Sequence, residues 1–270
     1  MAPRIAIPMP HSIDLDYAER SILQYERAVQ RAGGEPVRIP LDQPPSEILK
    51  IEILKIVESC DGVLLPGSSA DVDPSRFNAT RSPHTAIADP RRDTVDDLLL
   101  QGAYKLRKPI LGICYGLQSL NVHRCGSLIQ HIPDFLPEEL RTRVNHEAGK
   151  KIAVAHAVEI ASNSKLAGIL RRILRENDRL CGDSRPRLSG GAQLMLPVNS
   201  SHHQSADLIG DGLSIAARCP DDGIIEALEG TAPDHFVLAV QWHPERSVDE
   251  DPASRAIFQA LVSAAETAGK

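Results

Sequence analysis

Residues 108–118 read Lys-Pro-Ile-Leu-Gly-Ile-Cys-Tyr-Gly-Leu-Gln. The apolar run Ile110 to Ile113 is too short for a buried helix and has no polar alternation. It fits a strand covered on both faces, as in a parallel sheet flanked by helices. Cys114 ends that strand, and glycines stand two residues before and two residues after it. The pattern Gly112-Ile-Cys-Tyr-Gly116 predicts a tight strand-to-helix turn, with the helix beginning at Tyr115.

The rest of the chain agrees with that reading. Arg4 to Pro8, Pro36 to Ile39 and Gly62 to Leu65 read as strands. Helices are expected between them, over Tyr17 to Ala32 and over Ser46 to Glu58. The first stops at Gly33-Gly34 and the second has Ser46 as N-cap. A helix over Arg92 to Arg107 precedes the cysteine strand, after a long loop rich in Pro, Ser, Asp and Arg. Strand–helix alternation of this kind implies an α/β fold with a parallel sheet. The second half changes character. Lys151 to Ile160, Leu194 to Asn199, Leu213 to Ala217, Ile224 to Leu228 and Phe236 to Val240 read as strands, and Asp221-Asp222-Gly223 as a turn. They are expected to extend the sheet through antiparallel hairpins, and Pro252 to Ala268 to form the last helix. Residues 171–191 are polar and read as an insertion or lid. Neither a repeat nor a linker divides the chain, so residues 1–270 are expected to form one domain.

Composition limits the function. A net charge of −6 argues against a nucleic-acid partner. No apolar stretch approaches the roughly 18–20 residues that span a membrane, and the first residues lack the apolar core of a signal peptide. A cytoplasmic location is expected. The five cysteines are irregularly spaced and include no C-x-x-C pair, which suggests neither a zinc nor a redox site.

Cys114 has the setting of a nucleophile. A helix N-terminus aimed at a thiol stabilises the thiolate, and the Tyr115 N–H can face a developing oxyanion. Far downstream lies Val240-Gln-Trp-His-Pro-Glu245. If the strand continued to its end, His243 and Glu245, two residues apart, would point to the same side. A carboxylate beside an imidazole sets its tautomer and stabilises its cation. A thiol, an imidazole and a carboxylate are the parts of an acyl-transfer site.

These runs together resemble the class I glutamine amidotransferases. The resemblance is nearest to the γ-glutamyl-γ-aminobutyrate hydrolase branch, a cysteine peptidase-type family. Tyr25 to Gly34, Asp71-Val-Asp-Pro74, Arg92-Asp93, Asn121-Val122, Asn199-Ser-Ser-His-His-Gln204 and Asp222-Gly-Ile-Ile-Glu-Ala227 also match, so the resemblance covers roughly residues 4–265. It implies a flavodoxin-like three-layer sandwich with a mostly parallel central sheet. It implies a triad of Cys114, His243 and Glu245, acting on a γ-glutamyl amide through a γ-glutamyl thioester, with no cofactor and no metal. Gly67 matches the oxyanion loop and Gln118 a substrate-contacting position. Ser201, His202 and His203 match positions at the mouth of the site.

The chain departs from the family pattern at Tyr115, where arginine is usual, and at Pro66-Gly-Ser-Ser-Ala70, where the loop is usually richer in glycine. Asp96 stands in place of glutamate, Cys125-Gly126 in place of Gly-Gly, and Gln130-His131 in place of Gln-Asp. Ser68 would be strained at positive φ. The expected activity is release of glutamate from a small γ-glutamyl amine. A glutaminase subunit feeding ammonia to a separate synthetase is the alternative. A non-catalytic binding or sensor protein is a third reading, which the intact triad disfavours. A homodimer is left open.

Overall fold

The computed structural model describes residues 1–44, 46–180 and 194–268. Its first half alternates as expected: β1 (Arg4–Pro8), α1 (Leu15–Arg31), β2 (Glu35–Ile39), α2 (Glu47–Ser59), β3 (Gly62–Leu65), α3 (Pro90–Leu106), β4 (Ile110–Ile113) and α4 (Tyr115–His123). The second half contains β5 (Leu128–Ile129), the one-turn helices α5 (Ile132–Phe135) and α6 (Glu138–Arg141), β6 (His156–Ile160), α7 (Lys165–Leu180), β7 (Leu194–Val198) and β8 (Ser205–Ala206). It ends with β9 (Leu213–Arg218), β10 (Ile225–Gly230), β11 (Val237–Val240) and α8 (Pro252–Ala268).

Nine strands form one sheet in the order β2-β1-β3-β4-β11-β10-β9-β6-β7. The pairings from β2 through β11 are parallel. Those from β11 through β7 are antiparallel. The parallel half is therefore built mainly by the first half of the chain, and β11 returns from the far end to join it. Strands β3, β4 and β11 are buried at every position, as their unbroken apolar sequences require. Helices α2, α3 and α4 pack as one group, and α1, α8 and α7 as another, with the sheet between them.

Local sequence accounts for the element ends. Ser46 caps α2 by accepting from the Leu49 N–H at 3.1 Å. Asp89 caps α3, and Pro90 takes its first position. Gly33 follows α1 at φ 90°. Cys125 stands at φ 69°, where the family's usual glycine would be unstrained.

Two expectations need correction. Residues 171–180 continue α7, whose first turns bury Leu166, Ala167 and Leu170 against the core, so this part of the expected polar insertion is helix. The remainder, 181–191, lies outside the described residues, as does Cys181. The expected strand from Lys151 begins only at His156, because a 3-10 turn at Ala148–Lys150 and the bends after it occupy the preceding residues. Among the described residues no helix is long and apolar enough to cross a membrane.

Candidate active site

Strands β3, β4 and β11 end side by side. Leu65 pairs with Gly112, and Ile113 with Val240. The chain leaving each strand therefore emerges at one edge, where ligands bind in open α/β sheets. Cys114 leaves β4, Gln241 to His243 leave β11, and Pro66-Gly67 leaves β3.

Cys114 sits at φ 52°, ψ −104°. This left-handed backbone is strained for a residue with a Cβ. Its N–H still donates to Val240 O at 2.8 Å, so the ladder holds the elbow while the side chain swings out of the sheet. The glycines make the turn sterically feasible. A Cβ on Gly116 would lie 2.2 Å from Leu65 O, and one on Gly112 would lie 2.8 Å from the Gly116 backbone. Helix α4 starts at Tyr115, directly after the thiol residue, and its first N–H groups have no acceptor within the helix.

Cys114 and His243 line the same cleft, and the cysteine is close enough to act on the imidazole's charge. The imidazole Nδ1 lies 2.7 Å from Glu245 Oε1. Burial by itself would depress the His243 pKa. The Glu245 carboxylate and the Cys114 side chain outweigh it, and the value rises from 6.5 to about 9. The backbone reaches this geometry by a route other than strand alternation. Strand β11 stops at Val240, and Pro244–Arg246 form a 3-10 turn with His243 at its N-cap. The turn folds Glu245 back onto the ring.

Asn199 fixes that turn. The His243 N–H donates to Asn199 Oδ1 at 2.9 Å, and Asn199 Nδ2 donates to His243 O at 2.8 Å. Sequence reasoning placed Asn199 only within a matching run; its role depends on a contact across 44 residues.

The remaining expected positions divide. Gly67 lies against both reacting side chains, since a Cβ there would be 3.1 Å from His243 Cε1 and 3.6 Å from Cys114 Cβ. Its N–H, however, donates to the Tyr25 hydroxyl at 3.0 Å and is not directed into the cleft. Burial holds the Tyr25 phenol well above its ordinary pKa, so it stays neutral. Ser68 is not among the residues at positive φ, so the expected strain does not arise. Tyr115 turns its side chain inward. The phenol donates to Asp93 Oδ1 at 2.6 Å and lies under the Arg92 guanidinium, 4.8 Å from the ring centroid.

Arg92 is fully buried and ties the site together. It donates to Asp96 Oδ1, Pro10 O and Pro66 O at 2.7, 3.0 and 2.6 Å. It thus anchors the start of the Gly67 loop.

A cleft of about 330 Å³ opens over the thiol. Ser68, Asp71, Gln118, Ser201, His203 and His243 are on its walls, and the cations Lys150 and Arg246 stand there too. Gln118 Nε2 donates to Gln204 O at 3.3 Å. The paired histidines do different things. His203 Nε2 lies 3.1 Å from Asp71 Oδ1 at the cleft. His202 contributes to the wall, but its ring is 1% exposed and its nitrogens face Gln204 O and Glu226. Both histidines line the cleft, and His203 is the more exposed of the two.

Comparison with known proteins agrees with this geometry. Residues 10–245 match the family model Peptidase C26. A γ-glutamyl-γ-aminobutyrate hydrolase of Escherichia coli O157:H7 is 31% identical, over 90% of this chain and 85% of that protein. A glutamine amidotransferase-like protein of Rickettsia prowazekii is also 31% identical, over 90% of this chain and 88% of its own length. The glutaminase domain of Trypanosoma brucei CTPS, solved with bound acivicin, superimposes with a TM-score of 0.58. It is 19% identical and covers 98% of this chain and 94% of that one, a likeness of flavodoxin-like fold. A chain with this elbow, this cleft and these relatives belongs to the Peptidase C26 family of class I glutamine amidotransferase-like proteins, and it is an amide-bond hydrolase or amidotransferase-like enzyme.

Proposed function

We propose that the chain is one catalytic domain that hydrolyses a γ-glutamyl amide of a small amine in the cytoplasm, through a γ-glutamyl thioester on Cys114. The observation that carries this reading is Cys114 and His243 on the wall of one cleft, with Glu245 held on the imidazole's Nδ1 at 2.7 Å.

His243 takes the thiol proton of Cys114. Sulfur attacks the γ-carbonyl carbon, and the carbonyl oxygen becomes an oxyanion at the Tyr115 N–H. In the described conformation Gly67 supplies clearance at this point, with its own N–H held by Tyr25. The C–N bond breaks as the imidazolium gives its proton to the leaving amine. Neutral His243 then takes a proton from water, the hydroxide adds to the thioester, and glutamate leaves as the thiolate is restored. Glu245 stabilises the imidazolium in both halves and fixes its tautomer. At the cleft, Lys150 and Arg246 are suited to the substrate's α-carboxylate and Asp71 to its α-ammonium. The relatives named as hydrolases of γ-glutamyl-γ-aminobutyrate support the γ-glutamyl class.

Glutamate release by the purified chain alone tests this, over a panel of γ-glutamyl amines and glutamine. Release from a γ-glutamyl amine, absent in Cys114→Ala, is expected. Turnover that persists in the variant, or none from any substrate of the panel, would overturn the proposal; the latter result would favour a glutaminase that needs a synthetase partner.

A further inference from the structure

A second cluster of titratable side chains is buried beneath the loop that carries His202. It comprises His146 from the segment after α6, His156 at the start of β6, His202 from the loop after β7, and Glu226 on β10. Their side chains are 4, 4, 1 and 0% exposed. Three ring nitrogens converge on one carboxylate oxygen. His146 Nδ1 lies 3.0 Å from Glu226 Oε1, and His156 Nε2 and His202 Nε2 each lie 3.3 Å from it. None of these contacts has hydrogen-bond geometry, and all four atoms are buried without a partner.

The outer nitrogens explain why. His146 Nε2 lies 2.8 Å from Asp222 Oδ2, His202 Nδ1 lies 2.8 Å from Gln204 O, and His156 Nδ1 lies 3.1 Å from Ala157 O. Each of these partners is an acceptor, so each outer nitrogen carries the proton. In the neutral imidazoles the inner nitrogens are then lone pairs, aimed at a carboxylate oxygen. Buried lone pairs facing one another call for a positive charge between them, supplied by protons on the rings or by one metal ion. Among the described residues no lysine or arginine pairs with Glu226.

We propose that His146, His156, His202 and Glu226 bind one Zn²⁺ in a closed, four-coordinate site. Metal–ligand distances of about 2.0–2.1 Å place tetrahedral ligand atoms roughly 3.3 Å apart, the spacing found around Glu226 Oε1. Imidazole with carboxylate is a zinc-type donor set. The outer acceptors are the partners that orient metal-bound histidines. Glu226 and Asp222 together balance the dication. Glu226 is also the extra residue of a bulge, since Ile225 and Ala227 pair with the consecutive residues Arg218 and Ala217. A bulge re-aims a strand side chain. The ligand spacing 146, 156, 202, 226 has no sequence signature, which is why no metal was expected. A closed site makes the ion structural. It pins His202 between Asn199, which grips His243, and Gln204, which accepts from Gln118.

Elemental analysis of the chain, purified without chelator or metal-affinity resin, is expected to give one zinc per chain. The metal-stripped chain reloaded with Co²⁺ should show the intense visible bands of four-coordinate cobalt, unchanged in Cys114→Ser. Glu226→Gln and His156→Ala should each weaken zinc binding by about 100-fold or more, and Asp222→Asn by about 10–100-fold. The proposal fails if the wild-type chain neither carries zinc nor takes it up stoichiometrically. It fails equally if both ligand variants bind zinc as the wild type does, which would move the ion to His84, His131 and Asp134 or to His146, Cys219 and Asp222. Stoichiometry and the cobalt spectrum of the wild-type chain decide the matter even where a variant does not fold.

Discussion

Cys114 and His243 are held as a pair by opposing effects of burial and charge. Burial penalises the imidazolium, and Glu245 at 2.7 Å more than restores it. Cys114→Ala is expected to abolish turnover while the circular dichroism spectrum and unfolding midpoint stay close to wild type, because the side chain fills little volume at the elbow. Loss of folded signal in that variant would show that the residue is needed for packing. Glu245→Gln keeps the shape but removes the charge. A loss in kcat of about a thousandfold or more is expected, by analogy with removal of the carboxylate from a serine triad. The pH profile carries the sign. With His243 raised to about 9, activity should fall on the alkaline side near that pH as the proton for the leaving amine is lost. In Glu245→Gln that limb should move toward neutral pH, and an unmoved limb would show that another group controls it. The same shift bears on stability. A histidine raised on folding stabilises fully below its ordinary 6.5, and that contribution disappears as pH rises through about 9.

At the scale of elements, the elbow is a packing problem solved by glycine. Gly116→Ala would drive a Cβ to 2.2 Å from Leu65 O, a backbone atom that cannot rotate away. Destabilisation of about 3 kcal/mol or more is expected in urea unfolding; a loss under about 1 kcal/mol would mean that β3 and α4 separate easily. The 3-10 turn after β11 has a different support. Asn199→Ala removes both hydrogen bonds to the His243 backbone. It should lower kcat while leaving KM nearly unchanged, since Asn199 touches the turn and does not line the cleft; a change confined to KM would assign it to substrate binding. The strands, most helices and the elbow were legible because they are local. Ile110 to Ile113 is apolar throughout, Ser46 precedes a helical pattern, and Cys114 lies between glycines. Residues 171–180 misled because their charges suit an exposed lid as well as the outer face of a helix, and only packing of Leu166 and Leu170 distinguishes the two. The one-turn helices and the two-residue strands β5 and β8 are too short to leave any periodicity.

For the whole molecule, one hydrophobic cluster runs from Ile5 and Ile7 in the parallel half to Val158, Ile160 and Leu166 beside the antiparallel half. A continuous core predicts a single unfolding transition, with near- and far-ultraviolet signals coincident; two resolved transitions would divide the chain into separate folding units. The sequence by itself determined the α/β alternation, the thiol at a strand-to-helix turn, and a histidine and carboxylate close enough along the chain to meet. Each depends on residues within a few positions of one another, where apolar runs, glycines and caps act directly on the backbone. Tertiary structure decided the rest. It brought β11 beside β4, turned the Gly67 N–H to Tyr25, sent His202 away from His203, and gathered three histidines around Glu226. Those contacts join segments far apart in the chain, as Val240 to Ile113 and His146 to Glu226. Sheet order and the packing of loops over it create them, and no local pattern encodes either.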